Sequence, residues 1–123
     1  MARYSGPENV NEPAFQNMSI SYHEAAEEYL DMVLRDANIN PTLITKQYDV
    51  LTAISLGYAK ERFLDSKAAG NDGISEQLER TRRDRENLER RFLIGIIARV
   101  KADIGSDTSD SAITIQSGRM RKA

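Results

Sequence analysis

The stretch VLTAISLGYA, residues 50–59, indicates how this chain folds, because its ten consecutive residues carry no charge. Apolar residues continue on both sides of it at helical spacing, and a helix that is apolar nearly all round is covered by other helices. We therefore predict a central helix from Pro41 to about Ser66, with Asn40 as its cap. Gly57 costs such a helix about 1 kcal/mol relative to Ala, which indicates that another helix approaches closely there.

An amphipathic helix is predicted before the central one. Ser21 and Glu24 have the S-x-x-E spacing of a capping box, so this helix is expected to begin near Ser21 and to end near Asn38. One face of this helix is acidic and consists of Glu24, Glu27, Glu28 and Asp31. Its apolar face recurs every three or four residues and consists of Tyr22, Ala25, Ala26, Tyr29, Leu30, Val33, Leu34 and Ala37.

A third helix is predicted from Ser75, its cap, to about Ile104, with Gly105 as its stop. Its first half is charged, but a 3–4 spacing persists there at Leu78, Thr81, Arg85, Leu88 and Phe92. The three helices together predict an all-α fold: a small three-helix domain over residues 21–104 with long central and third helices. Extended N- and C-terminal arms, residues 1–20 and 105–123, flank this domain.

The N-terminal arm has Gly6, Pro7 and Pro13 and no helical period. Its scattered apolar residues either pin the arm to the surface of the helical domain or belong to a frayed terminus. These residues are Val10, Phe15, Met18 and Ile20.

The C-terminal arm is expected to consist of a flexible linker, Ser106–Ser111, a short strand over residues 112–116 and a basic end. Side chains alternate along a strand, so Ile113 and Ile115 form one apolar edge. This edge and the basic end predict a segment that docks on a partner; simple disorder is the alternative. The basic residues are Arg119, Arg121 and Lys122.

The composition excludes several kinds of site. The chain has no Cys, which excludes disulfides and thiolate metal sites, and one His, which excludes multi-histidine metal sites unless a second chain contributes. No glycine-rich phosphate loop or nucleophile motif is present. We therefore expect no metal, no cofactor and no enzymatic activity, and we expect His23 to be a surface residue. The longest apolar run, Phe92–Ala98, is much shorter than the roughly 20 residues that span a bilayer, so no membrane contact is expected.

Arginines are concentrated between Arg80 and Arg91, but acids interleave with them. Three acid–base pairs have the favourable i,i+4 order: Glu76–Arg80, Glu79–Arg83 and Glu86–Arg90. An exposed, salt-bridged helix face is the leading interpretation. Inter-subunit ion pairs are the second, and nucleic-acid binding is the third, because phosphate neutralisation needs uncompensated charge.

Charge is distributed unevenly along the chain. Residues 1–73 carry a net charge of −5, whereas residues 74–104 carry +2. An acidic front and a basic back favour packing between copies of one chain. We therefore predict a homo-oligomer in which Arg82, Arg83 or Arg90 faces the acids of a neighbouring subunit.

The order of these helices resembles that of the head–tail connector, or adaptor, proteins of tailed bacteriophages, although the third helix is longer than is usual in that group. The likeness covers residues 21–104 and rests on Ala25-Ala26-Glu27-Glu28-Tyr29-Leu30, on Asn40-Pro41-x-Leu43-Ile44 and on the apolar helix through Tyr58-Ala59.

The resemblance implies a small helical virion protein of the phage neck, assembled in the host cytoplasm. Its copies are expected to form a ring of twelve that joins the portal protein to a stopper or tail protein. DNA passes through the lumen without sequence-specific binding, and acids that repel DNA are expected to line the channel: Glu24, Glu27, Glu28 and Asp31. The alternative is a self-associating helical regulatory protein that acts through its terminal arms.

Overall fold

A computed structural model describes the backbone of residues 3–116 and the side chains of residues 3–105. The protein is all-α, as predicted, and residues 3–116 contain no strand. Helix α2, Asp49–Lys67, packs against both α1, Ile20–Asp36, and α3, Asp72–Leu88. No residue of the charge-free stretch 50–59 is exposed, and Leu51 and Ile54 are fully buried. The prediction of a central helix around this stretch is therefore confirmed.

The start predicted for the central helix is wrong by two turns. Asn40 does cap, since its Oδ1 accepts a hydrogen bond from Thr42 N at 3.1 Å. The capped element is only a 3₁₀ turn, Pro41–Leu43, after which Ile44 is extended (φ −79°, ψ 117°). β-Branched residues at 42, 44 and 45 disfavour a helix there, and α2 begins at Asp49.

Helix α1 is capped by Ser19, whose side chain accepts from Ser21 N at 3.3 Å, so the predicted capping box at Ser21 is wrong. The helix buries Ala26, Leu30 and Leu34 at its predicted apolar face. It ends at Asp36, and Asn38 takes the left-handed conformation (φ 66°), which Asn tolerates better than most residues.

The third helix is longer than predicted. Asn71, and not Ser75, caps α3, because Asn71 Oδ1 accepts from Ile74 N at 3.1 Å. A single π-helical turn, Glu89–Leu93, joins α3 to α4, Ile94–Gln116. The predicted stop at Gly105, the linker 106–111 and the strand over 112–116 are therefore wrong. One glycine costs a helix only about 1 kcal/mol, and alternation over five residues is a weak strand signal.

Helix α4 begins against the bundle. Ile96 and Val100 are buried in a core cluster with Leu30, Leu34 and Leu51. Asp103 accepts a hydrogen bond from the hydroxyl of Tyr48 and lies 3.7 Å from Lys46 Nζ. The Tyr48 hydroxyl, helped by Lys46, lowers the pKa of Asp103. The segment before α2 thus holds α4 over its first ten residues.

The N-terminal segment, defined here as residues 3–18, folds back over α1 and α2. Two short 3₁₀ turns, Pro7–Asn9 and Pro13–Phe15, shape it. Its buried apolar residues are Tyr4, Val10, Phe15 and Met18. Of the two alternatives for the N-terminal arm, attachment to the surface of the helical domain is therefore the one observed. Ile20, the fourth apolar residue assigned to the arm, is instead the first residue of α1 and is 37% exposed.

Candidate functional site

The acidic face of α1 divides into two sets. The N-terminal segment occupies Glu27 and Asp31: Arg3 N donates to Glu27 Oε1 at 2.9 Å, and Arg3 Nη1 donates to Asp31 Oδ1 at 2.8 Å. The Tyr4 hydroxyl donates to the same Asp31 oxygen at 2.6 Å. Burial and this carboxylate raise the pKa of Tyr4 well above its ordinary value. These two acids therefore fix the N-terminal segment.

The other set forms a stripe on the outer side of α1. Glu24, Glu28 and Met32 follow one another at intervals of four residues, so they share one helix face. Both glutamates are exposed and form no ion pair within residues 3–105, and Met32 is 52% exposed. We call Glu24, Glu28 and Met32 the acidic stripe. A shallow groove runs beside it between α1 and α2, lined in part by Ala25, Tyr29 and Tyr58.

The arginines predicted for the subunit interface lie along α3 and the π-turn. Arg82 Nε lies 3.4 Å from Glu61 Oε1, and Arg90 Nη1 donates to Asn87 Oδ1 at 2.8 Å. Arg83 is exposed. None of the three predicted i,i+4 acid–arginine pairs forms an ion pair in the described chain; the i,i+4 pair that forms is Arg85–Glu89.

Arg85 is the centre of a partly buried network that joins α1, α2 and α3. Its guanidinium pairs with Glu61 of α2, with Nη2 3.1 Å from Oε1, and with Glu89 of the π-turn. Its Nη1 also donates to the Tyr29 hydroxyl of α1 at 3.3 Å. The rings of Tyr29 and Tyr58 stack at 4.5 Å, and the guanidinium lies 5.5 and 5.6 Å from their centroids. A Cβ atom added to Gly57 of α2 would lie only 3.3 Å from the Cβ of Arg85. The predicted close approach of another helix at Gly57 is therefore confirmed.

The pKa values of Tyr29 and Arg85 in this network are raised above their ordinary values. Burial, together with the hydrogen bond to Glu89, raises the pKa of Tyr29 to about 12. Burial alone would lower the pKa of Arg85, but its contacts with Glu61 and Glu89 outweigh burial and raise it. The network therefore keeps a neutral phenol and a charged guanidinium. It is structural in form, because four of the five guanidinium N–H groups of Arg85 donate to groups of its own chain.

The π-turn presents an exposed surface of mixed character. Phe92 is 49% exposed and Ile94 is 81% exposed, and Arg90 and Arg91 lie beside them. We call these four residues the basic–apolar patch. The sequence between residues 90 and 102 contains four basic residues and no acid, although Glu89 and Asp103 lie directly on either side of it. Within residues 3–105, Arg90 and Arg91 form no ion pair. A π-turn carries an extra residue, which rotates the helix face; this explains why Phe92 leaves the seam that Leu78 and Leu88 follow.

His23 is wholly buried, so its prediction as a surface residue is wrong. Its Nδ1 lies 2.9 Å from Ser5 Oγ, which in turn lies 2.8 Å from Ser55 Oγ. A serine beside a histidine is a possible nucleophile–base pair. Ser5 is only 4% exposed and His23 is 0% exposed, so this pair does not face solvent in the structure.

The residues predicted to dock on a partner lie at the end of the chain. The backbone of Ile113 and Ile115 belongs to α4, and their side chains lie outside the described part. Arg119, Arg121 and Lys122 lie outside the described residues altogether.

Within the described residues, no group of three or more His, Asp or Glu side chains could hold a metal ion. No helix of this part of the chain is long and apolar enough to cross a membrane. Comparison of the chain with models of protein families, with curated proteins and with solved structures finds no match.

Proposed function

We propose that this chain is a structural virion protein: a head–tail connector, or adaptor, of a tailed bacteriophage. Its copies form a ring between the portal and the tail or stopper, and DNA passes through the lumen. The resemblance of residues 21–104 to such proteins supports this proposal. The observation that carries it is that one chain has two complementary exposed surfaces, the acidic stripe on α1 and the basic–apolar patch at the π-turn.

The two surfaces match in both charge and apolar character. Glu24 and Glu28 are exposed and form no ion pair within residues 3–105, and the exposed Arg90 and Arg91 of the patch form none there either. Opposite charges across an interface select the partner and speed association. The groove beside Met32 offers tyrosine rings and aliphatic surface to an incoming apolar side chain, and Phe92 is such a side chain.

A contact between unlike surfaces of identical chains is heterologous. Such contacts produce a ring when the rotation closes and a filament when it does not. Within the proposal, each subunit places its basic–apolar patch on the acidic stripe of the next. Arg82 already contacts Glu61, so Arg90 and Arg91 are the more available cations for this contact.

The same division of acids bears on the four residues predicted to line the lumen. Arg3 compensates Glu27 and Asp31, which reduces their ability to repel DNA. We assign Glu24 and Glu28 to the subunit contact. If their reversal to arginine leaves the ring whole, they belong to the lumen, as the resemblance suggests.

The C-terminal residues are proposed to attach the ring to the portal, stopper or tail. Helix α4 continues to Gln116, well past Val100, a fully buried residue of the core. Deletion of residues 106–123 is expected to leave the bundle folded and to abolish attachment, measured by co-sedimentation with the partner or by counting filled heads that carry tails. Normal attachment of the truncated chain contradicts this assignment.

Native mass spectrometry of the purified chain tests the proposed function. A closed ring near twelve copies is the expected result. A dimer favours the alternative, a self-associating helical regulatory protein that acts through its terminal arms. A monomer at every concentration and salt condition contradicts both.

A further inference from the structure

A buried chain of three polar side chains ties the N-terminal segment to the bundle. Ser5 of the segment lies between His23 of α1 and Ser55 of α2, with Oγ–Nδ1 and Oγ–Oγ distances of 2.9 and 2.8 Å. Exposure is 4% for Ser5 and 0% for His23 and Ser55. A serine hydroxyl both donates and accepts, so Ser5 can hydrogen-bond to both partners whichever His tautomer is present.

The chain leaves one nitrogen of the imidazole without a partner. His23 Nε2 is buried and has no hydrogen-bond partner among the described residues. A neutral ring tolerates this at modest cost, whereas an imidazolium would bury a charged N–H without an acceptor, which is far more costly. Burial lowers the pKa of His23, and the field of Glu8 opposes that shift in part.

The groups that face His23 are few. From the N-terminal segment they are Ser5, in hydrogen-bond contact, and Glu8, through its field. From α2 the group is Ser55, which reaches the ring through Ser5. Glu8 is the charged member of this set, and it is itself exposed. Protonation of the ring therefore meets no buried carboxylate in contact with it.

We infer that His23 is an acid-sensitive latch: in its neutral form it holds residues 3–10 against α1 and α2, and its protonation releases them. The uncharged ring accepts burial beside Ser5, whereas the imidazolium gains solvation only when the segment opens. Opening also separates Arg3 from Glu27 and Asp31, which returns two carboxylates to the surface of α1. This inference does not depend on the proposed function.

The direction of the pH dependence follows from linkage. With its pKa lowered in the closed form, His23 binds a proton more readily when the segment is open. Closure is therefore fully favoured above the ordinary pKa of about 6.5, and it is lost as the pH falls from there through the lowered pKa. In that window the open population rises by about tenfold per pH unit.

Two measurements on the full chain test the latch. His23 is the one histidine of the chain, so its imidazole resonance in an NMR titration reports a single group; the expected midpoint is below 6.5. Hydrogen exchange of the Asn9 and Val10 amides, which donate to Gly6 O and Pro7 O, reports opening. After correction for intrinsic rates, their exchange is expected to accelerate below pH 6.5 while that of α2 amides does not.

The matched control is His23→Asn, because an Asn oxygen imitates the Nδ1 acceptor and does not titrate. Its N-terminal amides are expected to show no acceleration between pH 7 and 5. A His23 midpoint at or above 6.5, or the same exchange profile in the parent and the variant, overturns the latch. If the variant does not fold, two measurements on the parent still test the latch. These are the NMR titration of His23 and the comparison of hydrogen exchange between the N-terminal amides and the α2 amides.

Discussion

Among the charged residues of this chain, Arg85 is expected to be the one whose replacement by Met lowers the free energy of unfolding most. Side-chain exposure is 11% for Arg85, 7% for Glu61 and 16% for Glu89. Removing one partner of a buried ion pair costs about 3–5 kcal/mol, because the other charge is left uncompensated. In Arg85→Met, Glu89 loses its guanidinium, Glu61 keeps only the half-exposed Arg82 at 3.4 Å, and the stacked tyrosine rings lose a cation.

The free energy of unfolding is measured by urea titration with far-ultraviolet circular dichroism. With a slope of about 2 kcal/mol per M for a chain of this size, the midpoint is expected to fall by about 2 M. Arg83→Met is the matched control, because Arg83 is exposed and surface changes stay within about 0.5 kcal/mol.

A second variant separates lost charge compensation from lost packing. Adding Glu61→Gln to Arg85→Met removes the more buried of the two carboxylates that pair with Arg85. Replacing a buried ion pair by neutral groups often leaves the free energy of unfolding nearly unchanged. The double variant is therefore expected to recover more than half of the loss. A loss below about 1 kcal/mol in Arg85→Met, or no recovery in the double variant, refutes the interpretation that the network is an electrostatic centre of the fold.

Three further outcomes are expected. Ile54→Asp places an unpaired charge at a site of 0% exposure and is expected to abolish cooperative unfolding in circular dichroism; a melt like that of the parent contradicts the placement of α2. Asn71→Ala is expected to lower stability by about 1 kcal/mol in urea titration, whereas Ser75→Ala, at the position mistaken for the cap, is expected to have little effect. In ultraviolet titration Tyr4 and Tyr29 are expected to ionise above pH 10.0, because burial and a hydrogen bond to a carboxylate raise the pKa of each. Since these tyrosines lose their protons near pH 10.0 in the unfolded chain, the free energy of unfolding is expected to fall as the pH rises above that value.

The sequence predicted the parts of the fold that depend on long apolar patterns. Residues 50–59 lack charge over ten positions, and the helix that contains them is the central one. Helix boundaries were predicted less well, because several residues near each end are able to cap. Ser19 and Ser21 both qualify at α1, as do Asn71 and Ser75 at α3, and backbone geometry selects between them.

The site was harder to predict because side-chain partners come from distant segments. Arg85 lay on the apolar seam of its helix, which was a signal of burial, but its partner Glu61 is 24 residues away. His23 looked exposed because acids adjoin it in sequence, whereas Ser5 and the N-terminal segment cover it. The rotation of Phe92 and Ile94 out of the core follows from the π-turn, for which we found no sequence signal.

The central claim is that the acidic stripe of one chain meets the basic–apolar patch of the next, and mixing two charge-reversed variants tests it most directly. One variant carries Glu24→Arg and Glu28→Arg; the other carries Arg90→Glu and Arg91→Glu. Each alone sets like charges against each other and is expected to remain dissociated in sedimentation at low salt, where screening is weakest. An equimolar mixture restores opposite charges at every contact of an alternating ring and is expected to assemble. Assembly of either variant alone to the size of the parent oligomer, or no assembly in the mixture, contradicts the claim.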